Sequence, residues 1–366
     1  MREKIKVLIA EDSPVVQLLL AHVLNADPDI QVIGTASDGL DAVEFVRRQR
    51  PDVVLMDIHM PNMDGFEATR QIMQTHPLPI VICSATMKSA EIENTFRALD
   101  AGAVASVEKP VGMGSPNFDA MVGNVVQTIK DMATIHITRH RPPTYHGGPP
   151  VVTPRPGASV RLVVIGSSTG GPPVLHTILA GLPANFPAPV LIVQHIAAGF
   201  LDGMVGWLKK TTGRAVSIAM HGEKPLPGHV YIAPDNVHMG VAPSGAIILS
   251  QHAPENGLRP SVSFLFRTAG EVYGASVAGV LLTGMGRDGA DELKTLRNLG
   301  AVTLVQDKES SVVHGMAGEA IKLDAASYIL PPDQIVATLA GLVRLAQKSS
   351  SRETASGIFP PDQNQK

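Results

Sequence analysis

Leu162-Val163-Val164-Ile165-Gly166-Ser167-Ser168-Thr169-Gly170-Gly171-Pro172-Pro173 reads as a strand, a tight turn and the first turn of a helix. The apolar run Leu162–Ile165 suits a strand buried on both faces, as in a parallel sheet. The two prolines suit a first helical turn, where their missing N–H groups are not needed. Further apolar strands are expected at Val190–Gln194, Val230–Ala233, Ala246–Ser250, Val277–Thr283 and Ala301–Val305. Helical segments such as Pro172–Ala180 and Gly289–Leu299 separate several of them. That alternation implies a doubly wound α/β domain with a parallel sheet.

The same pattern holds upstream. Short branched runs at Val7–Ala10, Ile30–Ala36, Val53–Met56, Ile80–Ser84 and Val104–Glu108 alternate with amphipathic segments such as Ser13–Ala26 and Asp64–Thr75. Between the blocks, from about Thr134 to Ala158, lie Arg139-His140-Arg141-Pro142-Pro143, His146-Gly147-Gly148-Pro149-Pro150 and Pro154-Arg155-Pro156-Gly157. Proline at that density forbids helix and ladder and implies an extended linker. The expected organisation is a first α/β domain over 4–122, a linker over 123–158 and a second α/β domain over 159–346. A Ser-, Pro- and Gln-rich disordered tail, 347–366, is expected to follow.

Composition excludes several functions. Of 366 residues, 44% are hydrophobic and 17% charged, enough apolar material for two large cores. A net charge of -3 offers no general attraction for nucleic acid or an anionic membrane. The linker's spaced basic residues read as a solvated face rather than a polybasic patch. Cys83 is the single cysteine, so no internal disulfide can form and a reducing cytoplasm suits the chain. No run approaches the roughly 18 apolar residues of a membrane helix, and the first apolar run is too short for a signal peptide. The expectation is a cytoplasmic protein with no nucleic-acid partner and no direct membrane insertion.

In the first block, Glu11 and Asp12 follow the first strand, Asp57 the third, Ser84 the fourth and Lys109 the fifth. Carboxyl ends of parallel strands converge on one crevice. Three carboxylates there repel one another unless a cation joins them. Hard oxygen ligands at a partly open site suit Mg2+, and a hydroxyl and a lysine opposite suit phosphoryl oxygens.

Glu11-Asp12-Ser13-Pro14, Met56-Asp57-Ile58-His59-Met60-Pro61-Asn62-Met63-Asp64-Gly65, Ser84-Ala85 and Lys109-Pro110 together resemble the response-regulator receiver family. The resemblance covers about residues 4–122 and implies a flavodoxin-like receiver. It implies that Asp57 accepts a phosphoryl group from a histidine kinase. Glu11, Asp12, Asp57 and the backbone carbonyl of His59 would hold Mg2+, and Ser84 and Lys109 would bind the phosphoryl group. Ser106 departs from the pattern, standing where many receivers carry an aromatic switch residue.

In the second block, Gly166-Ser167-Ser168-Thr169-Gly170 fits G-x-S-x-G, a strand-to-helix turn that presents a serine nucleophile, here Ser168. The helix start also offers free N–H groups to a developing oxyanion. The same loop could equally cradle a phosphate, although the dinucleotide spacing and the P-loop lysine are absent. A nucleophilic serine needs a base, and the base an orienting acid. His195 follows the strand at Val190–Gln194, and Asp288 follows the run Leu281–Arg287. His221, His238, His252 and His314 compete with His195, and Asp291 with Asp288. The order Ser, His, Asp is not the Ser, acid, His order of α/β-hydrolases.

Ile165–Pro172, Val193-Gln194-His195, Pro227–Pro234 and Leu282–Gly289 together resemble the catalytic domain of the CheB family, the chemotaxis protein-glutamate methylesterases, from about Ser159 to Leu345. The resemblance implies a Rossmann-like esterase domain without a cofactor. Ser168 would be the nucleophile, His195 the base and Asp288 its orienting acid. Backbone N–H groups at Thr169 and Met285 would hold the oxyanion. It also implies partners: methyl-accepting chemotaxis receptors as substrates for demethylation and glutamine deamidation, and a CheA-type histidine kinase as phosphodonor. Three positions depart from the family pattern: Ser263, where an acid is expected; His314, where an aromatic is common; and Ala317, where proline is common. They bear on substrate fit and rate rather than on the reaction class.

Overall fold

Val7, Leu8, Ile9 and Ala10 are all fully buried, as consecutive apolar residues must be when a strand is covered on both faces. They belong to β1 (Ile5–Ala10), which with β2 (Ile30–Ala36), β3 (Val53–Met56), β4 (Ile80–Ser84) and β5 (Ala105–Glu108) forms a parallel sheet. Its strand order is β2-β1-β3-β4-β5. The structure is a computed structural model, and it describes residues 3–84, 98–99, 101–110, 117–135, 160–196 and 199–355.

The second domain begins in the middle of its own sheet. Its strands are β6 (Leu162–Ser167), β7 (Val190–Gln194), β8 (Val216–Ile218), β9 (Val230–Ile232), the hairpin pair β10 (His238–Val241) and β11 (Ile247–Ser250), then β12 (Val277–Leu281), β13 (Val302–Gln306) and β14 (Tyr328–Leu330). The main sheet runs β14-β13-β12-β6-β7-β9-β8, with every pairing parallel. The chain winds outward from β6 in one direction and returns to wind outward from β12 in the other. The carboxyl ends of β6, β7 and β12 therefore flank the point where the topology reverses, where such sheets form their ligand crevice.

Both main sheets are the expected doubly wound α/β type. Three sequence expectations are corrected. Ala246–Ser250 is not a buried strand of the main sheet. Its core, Ile247–Ser250, pairs antiparallel with His238–Val241 in a separate hairpin, because Pro243-Ser244-Gly245 places a tight turn just before it. The linker does not start at residue 123. The helix Phe118–Ala133 continues through it, with Val125, Ile129 and Met132 packed into the first core at helical spacing. The tail is not disordered from residue 347. The helix Pro332–Ala355 runs on, since no proline or glycine lies between Leu342 and Gly357. The Pro-rich linker, with its basic residues, and the last residues, 356–366, lie outside the described residues. The three-residue strands β8, β9 and β14 are too short to show a periodicity.

Candidate active site and phosphorylation site

Ser168 sits at the carboxyl end of β6, half-buried, on the turn into the helix Gly171–Gly181. Two glycines make that turn possible. Gly170 has φ +75°, and a Cβ there would lie 2.5 Å from Val312. A Cβ on Gly284 would lie 2.7 Å from the Ser168 Cβ, so a strand-end backbone can approach the serine only without a side chain. The Ser168 N–H donates to the Thr283 carbonyl at 3.0 Å, and the Ser168 carbonyl accepts from the Gly171 N–H at 2.8 Å. Among the described residues, neither the Thr169 nor the Met285 N–H donates a hydrogen bond, and both residues line the cleft with Ser168.

His195 follows β7, and its N–H donates to the Ser167 carbonyl at 2.9 Å, extending the β6–β7 ladder by one bond. Its Nε2 lies 3.0 Å from Asp288 Oδ2, at contact distance but poorly aligned for a full hydrogen bond. Such contacts commonly tighten when substrate binds.

Asp288 is buried and sits on the amino end of the helix Val262–Tyr273. Oδ1 accepts from Ser261 Oγ at 2.9 Å and from the Ser263 N–H at 3.1 Å, while Oδ2 accepts from the Val262 N–H at 2.6 Å. A carboxylate at a helix N-terminus satisfies otherwise unpaired donors and meets the positive end of the dipole. Burial pushes the Asp288 carboxyl up, but the His195, Ser263 and Val262 contacts outweigh it and hold it at about 2. The stabilisation it contributes is therefore complete above its ordinary value of 3.8 and lost as pH falls towards about 2. The unfolding free-energy gap between wild type and Asp288→Asn should be flat across neutral pH and close only below pH 3.8, which denaturant titrations at stepped pH would measure.

The rivals have other partners. Asp291 forms an exposed ion pair with Arg287 at 2.7 Å. His221 Nδ1 accepts from the Leu249 N–H, and His238 is buried, bonded to the Ala253 carbonyl and stacked on Phe264. His252 meets the edge of Phe264, and His314 lies against Ser311. Of the departures from the family pattern, Ser263 is at the Asp288 seat, its Oγ accepting from the Gly289 N–H at 3.0 Å. His314 is half-buried, and burial pushes its imidazole below its ordinary value, with Lys308 adding to the shift. Ala317 is fully buried.

Residues invisible to the sequence reading complete the site. Gln194 closes β7 and Thr283 lies two residues past β12; both are buried, and each makes several hydrogen bonds around Ser168. A polar residue closing an otherwise apolar strand was the available signal, since buried polar groups require partners. Ser261, the cap of the Val262 helix, was similarly legible as an N-cap but not as a ligand of Asp288.

In the first domain, Glu11, Asp12 and Asp57 bring one oxygen each within 4.8 Å of one another. Glu11 and Asp57 are buried and Asp12 is exposed, so the crevice opens on the Asp12 side. Lys109 Nζ lies 2.7 Å from Glu11 Oε2 and 3.0 Å from Asp57 Oδ1. Burial, with Asp57 adding to it, pushes the Glu11 carboxyl up, while Lys109 opposes the shift. Ser84, at the end of β4, is buried, and its carbonyl accepts from the Lys109 N–H at 2.8 Å. His59 is exposed on the loop after β3. Gly65 lets its helix press on this loop, because a Cβ there would lie 2.0 Å from the Asp57 carbonyl oxygen. A set of hard carboxylate oxygens, two of them already facing an ammonium, fits an oxygen-preferring divalent cation such as Mg2+.

A cleft of about 520 Å3 lies between the first domain and the Ser168 region of the second. Its walls are Ser106, Asn124, Thr128 and Asp131 of the first domain and the Ser168, His195 and Met285 region of the second. Val312, which covers Gly170, also packs on the first domain's core.

The fold and the sites define a receiver-type domain placed against an α/β domain of serine-hydrolase design. Residues 163–339 match the CheB methylesterase family, and residues 7–115 match the response regulator receiver domain. A Nitrosospira multiformis protein named protein-glutamate methylesterase/protein-glutamine glutaminase is 51% identical over 345 residues, covering 93% of this chain and 97% of that protein. A Geobacter metallireducens protein of the same name, numbered 4, is 54% identical over 343 residues, covering 92% of this chain and 99% of its own. The Thermotoga maritima CheB methylesterase catalytic domain, a solved structure, is 40% identical, covers 50% of this chain and all of its own, and has a TM-score of 0.49. The chain belongs to the CheB family of protein-glutamate methylesterases/protein-glutamine glutaminases with a receiver domain.

Proposed function

We propose that this chain is a phosphorylation-controlled hydrolase that removes methyl esters from glutamate side chains of methyl-accepting chemotaxis receptors and deamidates certain of their glutamines. The observation that carries the reading is the convergence of Ser168, His195 and buried Asp288 at adjoining strand ends, beside two free N–H groups in one cleft. Family membership supplies the substrate class.

His195 turns Nε2 to the acid, which leaves Nδ1 as the base for Ser168. Asp288 fixes that tautomer and favours the imidazolium that forms. Ser168 Oγ attacks the γ-carbonyl of the ester while Nδ1 takes its proton. The Thr169 and Met285 N–H groups hold the oxyanion, and each such donor typically contributes about 100- to 1,000-fold to kcat. The C–O bond breaks, and methanol leaves with the proton from Nδ1. Water then attacks the acyl-serine, giving glutamate and free Ser168. The glutamine reaction runs the same way, with ammonia leaving.

The receiver supplies control. Asp57 would accept a phosphoryl group from a histidine kinase of the CheA type. Mg2+ would be held by Glu11, Asp12, Asp57 and the His59 carbonyl, and would offset the phosphoryl charge. Ser84 and Lys109 would bind the phosphoryl oxygens. The receiver wall across from Ser168 leaves a cleft suited to a side chain but too confined for a receptor helix bundle. Phosphorylation would shift the population to an open form. No helix among the described residues is long and apolar enough to cross a membrane. The cytoplasm, where such receptors present their methylation sites, is the compartment this reading requires.

The test is methanol release from a methylated receptor fragment, with and without a small-molecule phosphodonor and Mg2+. Release should rise with phosphodonor in wild type and show no rise in Asp57→Asn. No release from wild type on a receptor verified as methylated would refute the reading.

A further inference from the structure

Gln194 closes β7 and is 4% exposed, yet all of its amide is used. Its Oε1 accepts from the Ser167 hydroxyl at 2.6 Å. Its Nε2 donates to the Ser168 carbonyl and to the His195 carbonyl, each at 2.8 Å. Ser167 is fully buried, and its hydroxyl fixes which way the amide points. The reverse orientation would set the amide oxygen against two carbonyl oxygens. Nothing else fits in this corner: a Cβ on Gly171 would lie 2.3 Å from Gln194 Oε1.

The consequence follows from the planarity of the peptide bond. The Ser168 carbonyl and the Thr169 N–H belong to one trans peptide, so they point in opposite directions. Two donors grip that carbonyl from the buried side, Gln194 Nε2 and the Gly171 N–H. With the carbonyl held inward, the Thr169 N–H is aimed outward, into the cleft that holds Ser168. The next peptide is fixed as well, because Thr283 Oγ1 donates to the Thr169 carbonyl at 3.0 Å.

We infer that Gln194, oriented by Ser167, is the positioning residue of the oxyanion hole: it aims the Thr169 N–H by holding the opposite end of the same peptide. The inference rests on the proposed serine chemistry but not on the identity of the substrate. The Gln194 amide is fully engaged by Ser167, Ser168 and His195, so it acts through the Thr169 peptide rather than on the substrate. Its effect should therefore appear in transition-state stabilisation rather than in substrate affinity or in the titration of His195.

The test uses the full chain and Gln194→Met, which keeps the volume and removes the donor. A fluorophosphonate probe reports on the hole directly, because its phosphoryl oxygen must occupy it when Ser168 is labelled. Labelling, followed by intact mass, should slow by about 100-fold, the scale of one oxyanion donor. On a methylated receptor fragment kcat should fall similarly, with KM within about threefold and the acid limb of the pH–rate profile unmoved. Ser167→Ala, a milder change that leaves the amide present but unanchored, should slow labelling by about tenfold and covers the case in which the methionine variant does not fold. Labelling within about twofold of wild type in a folded variant would overturn the inference, as would a loss carried by KM or by a shifted acid limb. Slowed labelling alongside a wild type that releases no methanol would sustain the positioning role and refute the receptor ester as substrate.

Discussion

Ser168→Ala should lower kcat for methanol release by about a million-fold, with KM almost unchanged and the fold intact. The alanine removes the only atom that bonds to the substrate carbon. It leaves the Thr169 and Met285 N–H groups, which line the cleft independently of the serine side chain. A residual rate above the uncatalysed one is therefore expected, supplied by binding and oxyanion contacts. Stability should change little, because the Ser168 hydroxyl makes no hydrogen bond among the described residues, whereas Ser168's main-chain bonds to Thr283 and Gly171 survive the substitution. Single-turnover methanol release and a thermal melt on the same preparation test both halves. A variant that melts with wild type and still releases methanol within about tenfold of its rate would remove Ser168 from the mechanism. The neighbouring hydroxyl offers a contrast: Ser167 is fully buried and bonded to Gln194, so its loss acts on geometry, not on bond making.

The sequence exposed the architecture because its main strands are long apolar runs and its turns carry the punctuation. Leu162–Ile165, Val190–Gln194 and Val277–Leu281 are each buried throughout and fall in the order that brings Ser168, His195 and Asp288 to one edge. Choosing among five histidines and two aspartates was not possible from spacing. Burial and partners separate them, since Asp288 is enclosed by helix-end donors while Asp291 pairs with Arg287 at the surface. The hairpin at His238–Ser250 escaped because a short apolar strand looks the same in a parallel sheet and in a hairpin. The true end of the first domain escaped because Val125, Ile129 and Met132 signal a helix only when its start at Phe118 is already known. Gln194 escaped for a different reason. A glutamine beside a histidine has no chemistry of its own until the fold turns two neighbouring carbonyls towards it.

Asp288→Asn should lower kcat by about ten-thousand-fold while leaving KM close to wild type. Three donors converge on the two carboxylate oxygens: Ser261 Oγ, the Val262 N–H and the Ser263 N–H. An asparagine can offer one oxygen to them. Its NH2 group must then stand either at the Oδ2 position, facing both the Val262 N–H and His195 Nε2, or at the Oδ1 position, facing Ser261 Oγ and the Ser263 N–H. If the NH2 takes the Oδ2 position, it meets His195 and leaves the Val262 N–H without an acceptor. The ring then accepts a hydrogen bond at Nε2 and carries its proton on Nδ1, the nitrogen that must be free to deprotonate Ser168. If the amide turns over, the Ser263 N–H loses its acceptor instead, and either orphaned N–H costs about 1–3 kcal/mol. Both arrangements weaken the helix end, and the first also puts the wrong tautomer on His195. Low pH cannot be used to reach the same state in wild type, because the carboxyl is held at about 2, so the variant is the practical probe. Asp291→Asn is the matched control: it breaks only an exposed pair with Arg287 and should leave both rate and stability within experimental scatter. Equal losses in the two variants would mean that the helix turn, not the Asp288 carboxylate, matters, and would return the acid to the undecided pair that spacing alone allowed.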